Sequence, residues 1–222
     1  MSEDSEKPVN VQDQGERAEQ IARFIEEETD KHPHIDEFVE RVSESGKVLD
    51  LGCGHGKHVD YLVQNGLEAV GVDLAEGMLH EKERRGKKGT YIEQDFRNLP
   101  EHQFDDDEYD ALWANAALKF YPEQEMRETI EEWSRVLRPG GEFYTSFKIK
   151  GGQEDYDWLQ TDEDGNEFVQ RDGEDYPRYL LDSVEDAEQI LEEHGYEPQQ
   201  AYVSDDHTDY DIQVVNIFAS KE

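Results

Sequence analysis

Gly52, Gly54 and Gly56 stand at alternate positions directly after an apolar run at 48–51, and a helix-forming stretch begins at Lys57. A strand that breaks into glycines and resumes as a helix makes a nucleotide-binding turn. Glycine lets the backbone approach a ligand and take φ > 0, and the helix start offers N–H groups that no helical partner uses. Two cofactor classes use such a turn, and spacing separates them. A dinucleotide site reads G-x-G-x-x-G, its third glycine allowing close helix–strand packing. Here Lys57 occupies that third place and the pattern is G-x-G-x-G. Cys53, inside the loop, is the only cysteine among 222 residues. Neither an internal disulfide nor a cysteine-based zinc site is therefore expected, and no metal site is assigned.

A loop of this kind needs a sheet to hold it. Strand patterns occur at 47–51, 69–73, 90–94, 110–115 and 141–149, and helix patterns at 57–64, 76–85 and 123–137, the last stopped by "RPGG". Strands separated by helices predict βαβ units and a largely parallel sheet with both faces covered. Residues 1–13 read as a flexible N-terminus, and 14–222 as one domain. Its first part, 14–45, reads as two helices, with Ala18, Ile21, Ala22 and Ile25 on one apolar face and Ile35, Phe38, Val39 and Val42 on the next, stopped by Gly46. A polar insertion carrying Tyr and Trp fills 150–180. A helix at 184–193 and strands at 199–203 and 212–219 follow, the strands predicted as an antiparallel hairpin closing the sheet edge.

With these elements in place, the sequence resembles class I S-adenosylmethionine-dependent methyltransferases. "VLDLGCGHG" resembles their first motif, "VGVDLAEGML" the second, "YIEQDFRNLP" the third, "YDALWANAAL" the fourth strand with its site loop, and "RVLRPGGEFYTSF" the turn into strand five. The resemblance implies an α/β, Rossmann-like fold: a seven-stranded, mostly parallel sheet with a C-terminal antiparallel hairpin and helices on both faces. It implies S-adenosylmethionine as cofactor and S-adenosylhomocysteine as product. Carried over residue by residue, Asp50 helps to hold the methionine amino group, and Gly52, Cys53 and Gly54 line the methionine and ribose. Asp73 accepts from the ribose hydroxyls, Asp95 and the Phe96 backbone N–H meet the adenine, and Leu74 and Met78 flank it or merely pack their helix. Asn115 and Ala116 face the transferred methyl. In a chain with 57 acidic residues, Asp50 and Asp73 are distinguished only by their position at strand ends.

The fourth motif also excludes. "NAAL" is not the [DNS]-P-P-[YFW] of amino-methylating nucleic-acid enzymes, the one cysteine lies in the cofactor loop, and strand four ends in Asn115, not in a set of metal-binding acids. The expected acceptor is a small molecule, bound among the N-terminal helices, the loop after Asn115 and the insertion. Lys119, Tyr121, Lys148 and Arg171 are the candidates on that side, with His55 beside the cofactor and Trp158 in a lid or a satellite core. Asn115, Lys119 and Lys148 are the substrate-side candidates for catalysis. The alternatives are a methyltransferase acting on RNA or protein, and a non-catalytic S-adenosylmethionine-binding regulator. No membrane partner is expected, nucleic acid is disfavoured, and the state is a monomer or homodimer in the cytoplasm.

The formal net charge is −35, with 22 basic residues against the 57 acids. The charge is spread through every segment and alternates with well-formed apolar runs, whereas a disordered acidic tail concentrates it in a block. An acidic shell of this kind suits a salt-loving organism, because at molar salt the Debye length falls to about 3 Å and self-repulsion is screened. The basic run "KERRGKK" sits where a helix should end and favours that helix terminus. Chemical unfolding in dilute and in molar KCl is expected to show a more stable fold in KCl; equal stability in both would remove the halophilic reading.

Overall fold

A computed structural model describes residues 32–119, 121, 123–150, 159–162, 167–171, 174–177, 180–205 and 212–222, with 18–19 and 22–23. Helix α1 (Ile35–Arg41) leads into β1 (Lys47–Leu51). Then come α2 (Lys57–Gln64), β2 (Glu68–Asp73), α3 (Glu76–Arg84), β3 (Thr90–Glu93), β4 (Tyr109–Ala114), α4 (Glu123–Val136) and β5 (Leu137–Lys150). Three short strands follow, β6 (Gln160–Thr161), β7 (Glu167–Arg171) and β8 (Glu174–Pro177), before α5 (Val184–Glu193), β9 (Tyr196–Asp205) and β10 (Ile212–Lys221).

Seven strands form one sheet in the order β3-β2-β1-β4-β5-β10-β9. β1 to β5 run parallel, and β10 lies antiparallel between β5 and β9. The chain winds outward in one direction through β2 and β3 and in the other through β4 and β5. The carboxyl ends of β1 and β4 therefore flank the crevice where such sheets bind ligands.

Side-chain alternation sends Leu49, Leu51, Val70, Val72, Leu112, Ala114, Phe143 and Ile217 to one face, against Met126, Ile130 and Trp133 of α4 and Ile190 and Leu191 of α5. Val48, Ala69, Ala111, Trp113, Tyr144 and Phe218 go to the other, against Ile35 and Phe38 of α1, Val59 and Leu62 of α2, and Leu79 of α3. Covering both faces explains the nearly unbroken apolar runs of β1, β2 and β4. Trp113 and Tyr144, paired across β4 and β5, stack with centroids 3.9 Å apart at 12°, a contact worth about 0.5–1.5 kcal/mol beyond its burial.

Some boundaries differ from the sequence reading. Helix α1 ends at Arg41, not at Gly46, because Val42 is already extended at ψ 137°. Gly46 instead closes a turn with its N–H on Ser43 O and its carbonyl on Glu68 N–H, setting β1 beside β2. β5 begins at Leu137, since the "RPGG" turn is itself drawn into the sheet by the Tyr109–Leu137 pair. The insertion carries an antiparallel sheet, β6-β7-β8, which its polar sequence did not announce. Trp158 and the helix residues Ile21 and Ile25 lie outside the described residues, while Ala18 and Ala22 are helical and buried.

Gly71 sits in β2 opposite Asp50, beneath the glycine loop. A Cβ there would meet Cys53 Sγ at 2.7 Å and Val59 Cγ2 at 2.8 Å. Gly71→Ala is expected to destabilise the fold by about 1–3 kcal/mol, the range for an overpacked core, read as a lower midpoint in urea. An unchanged midpoint would show that the loop has room to move.

Candidate functional site

The loop between β1 and α2 takes positive φ at Gly52, Gly54 and Gly56 (77°, 55° and 80°), a region that side chains with a Cβ occupy only under strain. It folds back over β2, because the N–H groups of Gly52 and Cys53 both donate to Val72 O, at 2.9 and 3.0 Å. The Asp73 carboxylate completes the turn. Its Oδ2 accepts from Gly54 N–H at 2.8 Å and its Oδ1 from Ala75 N–H, the residue capping α3, also at 2.8 Å. One buried carboxylate thus holds both the glycine loop and the start of the next helix. Tyr91 supports the far end of the loop, its hydroxyl donating to Lys88 O at 2.8 Å and lying 3.3 Å from Gly56 O.

Asp50 is 1% exposed and its Oδ2 has no hydrogen-bond partner. Burial, with the negative charge of Asp73 behind it, pushes its carboxyl well above the usual range. A cationic ligand group here would restore the carboxylate and complete its hydrogen bonding. Three loops meet above it: a Cβ placed on Gly52 would lie 3.5 Å from Ala117 Cβ, after β4, and 3.5 Å from Phe96 Cε1, after β3. The backbone of the glycine loop, the acids Asp50 and Asp73, and the buried ring of Phe96 therefore surround one place. Cys53 is buried beneath it, and burial pushes its thiol up.

The remaining cofactor-side candidates take up mixed positions. Asp95 is held by Arg97 through both carboxylate oxygens, and Arg97 also reaches Glu125 at 2.7 Å. Phe96 is fixed by Trp133, whose indole donates to Phe96 O at 2.9 Å, and by Tyr121, edge-on at 5.7 Å. Met78 packs on Ala18 and Ala75 with Leu74 alongside, so both serve the packing of α3, and Met78 Cε also lies 3.2 Å from where a Cβ on Gly54 would be. The basic run after α3 is taken up locally: Lys82 lies over the Tyr91 ring, and Arg84 and Arg85 bind Glu81.

Strand register builds the other side of the crevice. Trp113, Tyr144 and Phe218 form an aromatic row across β4, β5 and β10. Two residues further toward the carboxyl ends of β4 and β5, on the same face, Asn115, Ser146 and Asn216 form a polar row. The chain turns sharply after Asn115, since Ala116 holds φ 55° and its N–H donates to Ser146 Oγ at 2.8 Å. Left-handed backbone at alanine costs about 1–2 kcal/mol. Lys148 lies beyond Ser146 on this face and Lys119 follows in the loop after Asn115; both are half-buried. His55 is buried in the glycine loop, and of Arg171 the backbone lies in β7.

Sequence reasoning missed the histidines that lean on this wall. His58 of α2 accepts the Trp113 indole N–H at Nδ1, 3.2 Å away. His32, ahead of α1, stands edge-on to Trp113 at 5.1 Å, with Nε2 3.3 Å from Tyr144 Oη. Burial lowers His32 to about 4 and His58 to about 3, so both are neutral at pH 7. A histidine before a short helix carries no periodic signal; only the register of β4 and β5 brings it here. Among the described residues no group of three or more His, Cys, Asp or Glu is placed to hold a metal, and no helix is long and apolar enough to cross a membrane.

Asp50→Asn keeps the shape of the side chain and removes its charge. The folded state binds the Asp50 proton more tightly than the unfolded chain, in which aspartate titrates near 3.9. The favourable contribution is complete below that value and is lost as pH rises through the folded one. The ligand-free variant should therefore unfold at a higher temperature than wild type at neutral pH, with the gap closing toward about pH 4. Calorimetric scans at both pH values measure it; a variant less stable than wild type at neutral pH would mean that Oδ2 is satisfied.

Comparison with known proteins agrees with this geometry. Residues 48–141 match a family described as a methyltransferase domain. The malonyl-[acyl-carrier protein] O-methyltransferase of Enterobacter lignolyticus is 33% identical over 95 residues, 43% of this chain and 36% of that protein. The chain thus spans about a third of that relative's length. A methyltransferase structure from Methanosarcina mazei superimposes with a TM-score of 0.67 at 20% identity, covering 87% of this chain and 99% of that one. Magnesium protoporphyrin IX methyltransferase from Synechocystis, solved with S-adenosylhomocysteine, gives 0.66 at 17% identity, covering 96% and 99%. Residues 48–141 thus match a methyltransferase-domain family model, and the described sheet has the same Rossmann-like fold as these methyltransferase structures.

Proposed function

We propose that the chain is a methyltransferase that binds S-adenosylmethionine at the glycine loop and passes its methyl group to a small-molecule acceptor at the Asn115 side of the crevice. The observation that carries this reading is the unpartnered Oδ2 of buried Asp50 under a loop of three positive-φ glycines. S-adenosylmethionine supplies an electrophilic methyl group on a sulfonium centre. Asp50 takes the methionine ammonium, directly or through water. Gly52 and Gly54 let the backbone lie against the methionine and ribose. Asp73, held at the end of β2 by Gly54 N–H and Ala75 N–H, accepts from the ribose hydroxyls. Asp95, fixed by Arg97, accepts from the adenine amino group, and Phe96 closes the adenine side.

Alignment is the chain's main contribution, because the leaving group is already activated. The acceptor must be held behind the methyl carbon with reacting atoms about 3–3.5 Å apart. Asn115 and Ala116, fixed by Ser146 at the exit of β4, stand where that alignment is made. The similar protein named above is an O-methyltransferase, which supports an acceptor of low molecular weight or one presented on a carrier. One working domain over 14–222, a cytoplasmic location, a monomeric or dimeric state and a salt-loving source complete the proposal.

Titration calorimetry with S-adenosylmethionine and S-adenosylhomocysteine tests it. Micromolar binding is expected for wild type. Asp73→Ala, which removes hydrogen bonds to a charged group worth about 1.5–3 kcal/mol each, should weaken binding by at least tenfold, and Asp73→Asn, which keeps one acceptor oxygen, by less. Folded wild-type protein that binds neither compound would sink the proposal.

A further inference from the structure

Arg97 stands just past the exit of β3, and its guanidinium is committed on both edges. Nη2 donates to Asp95 Oδ2 at 2.7 Å, and Nε reaches Oδ1 at 3.0 Å and Oδ2 at 3.1 Å. The Arg97 backbone N–H adds a further bond to Oδ1, at 3.0 Å. On the other edge Nη1 donates to Glu125 Oε2, in the first turn of α4, at 2.7 Å. A guanidinium that meets a carboxylate along one edge fixes the plane of the carboxylate as well as its position. One cation thus sits between two acids that would otherwise repel each other.

The face of the guanidinium is used as well. Arg97 Cζ lies 4.9 Å from the centroid of Tyr121, and Tyr121 stands edge-on to Phe96 at 5.7 Å. Phe96 is held through its carbonyl by the Trp133 indole at 2.9 Å, and its Cε1 lies 3.5 Å from where a Cβ on Gly52 would be. Gln94 N–H donates to Asp73 O at 3.2 Å, so Asp95 follows directly on the point where β3 is tied to the acid that ends β2. Asn98 N–H closes the turn on Asp95 O at 3.1 Å. Guanidinium, carboxylate and aromatic ring therefore form one packed corner beside the glycine loop.

We infer that Arg97 is a positioning residue that aims the Asp95 carboxylate at the purine, so that the site selects a 6-aminopurine over a 6-oxopurine. This rests on the methyltransferase reading above, which puts the adenine at Asp95 and Phe96. As one half of an ion pair, Asp95 accepts hydrogen bonds and has none to give. A purine with an amino group at C6 donates to it, whereas one with an oxo group there turns a second acceptor toward it. Lysine at position 97 would keep the charge and lose the fork, because an ammonium is a point donor that fixes no plane.

Titration calorimetry of the full chain with S-adenosylhomocysteine and with its 6-oxo counterpart, S-inosylhomocysteine, reads the selection as a ratio of dissociation constants. Wild type should prefer the 6-amino compound by about tenfold or more, the worth of one hydrogen bond to a charged group. Arg97→Lys should weaken S-adenosylhomocysteine binding, leave S-inosylhomocysteine binding unchanged, and bring the ratio toward one. Asp95→Asn, which can turn either its oxygen or its N–H₂ to the purine, should also bring the ratio toward one. Arg97→Lys added to it should change the ratio no further, since the two residues act as a unit. If Arg97→Lys fails to fold, Arg97→Gln takes its place, with the same fall in the ratio expected. An Arg97 that only props the turn would lower both affinities together; a wild-type ratio in the Arg97 variant would overturn the inference. Equal binding of the two compounds by wild type would overturn it too, with the methyltransferase reading intact. Wild type that binds neither compound would remove that reading and this inference with it.

Discussion

Two hydrogen bonds accepted by one carboxylate organise the glycine-loop side of this molecule. Asp73 ends β2, yet it fixes the loop after β1 through Gly54 N–H and the start of α3 through Ala75 N–H. Bonds of this charge-assisted kind are roughly twice as strong as neutral ones. They let a loop with three positive-φ glycines at alternate positions keep one shape, although glycine has more freedom to lose on folding than any other residue. Beneath the cradle, Gly71 leaves out a Cβ that would press on Cys53 and Val59.

Much of this was legible in the sequence because it follows from periodicity and punctuation. The alternation of apolar runs with helical stretches gave the parallel strands, and the reversal after residue 195 gave the terminal hairpin. Asp50, Asp73 and Phe96 were singled out because the motifs that hold them resemble those of a known family, and the structure gathers them around the glycine loop. The rest depended on register, which a single chain does not declare. Ser146 and Asn216 come from paired antiparallel strands and Asn115 from the exit of β4, and only the register and the Ser146–Asn115 hydrogen bond make them a row. His32 and Arg97 work through partners distant in sequence or through a fork geometry that composition does not reveal.

The two halves of the crevice handle charge in opposite ways. On the nucleotide side buried acids stand close together, and Asp73 raises the proton affinity of Asp50; that repulsion eases when a cation arrives. On the other side the histidines are kept neutral by burial and by nearby positive charge, with their protons fixed by neighbours. A sulfonium ligand carries an ammonium at one end and a reactive positive centre at the other. Placed across the crevice, it would meet acid at its tail and a neutral, aromatic wall at its head.

The excursion between β5 and α5 begins and ends at one point. Lys150 N–H binds Leu181 O at 3.0 Å, Leu181 N–H binds Lys148 O at 2.9 Å, and Lys150 pairs with Asp182 at 2.7 Å. The two ends of the segment that joins β5 to α5 are therefore tied to each other at the end of β5. Doubling or halving such a loop changes its closure free energy by only about 0.6 kcal/mol. If the chain is the methyltransferase proposed above, exchanging this segment would change its acceptor side while leaving the glycine loop in place.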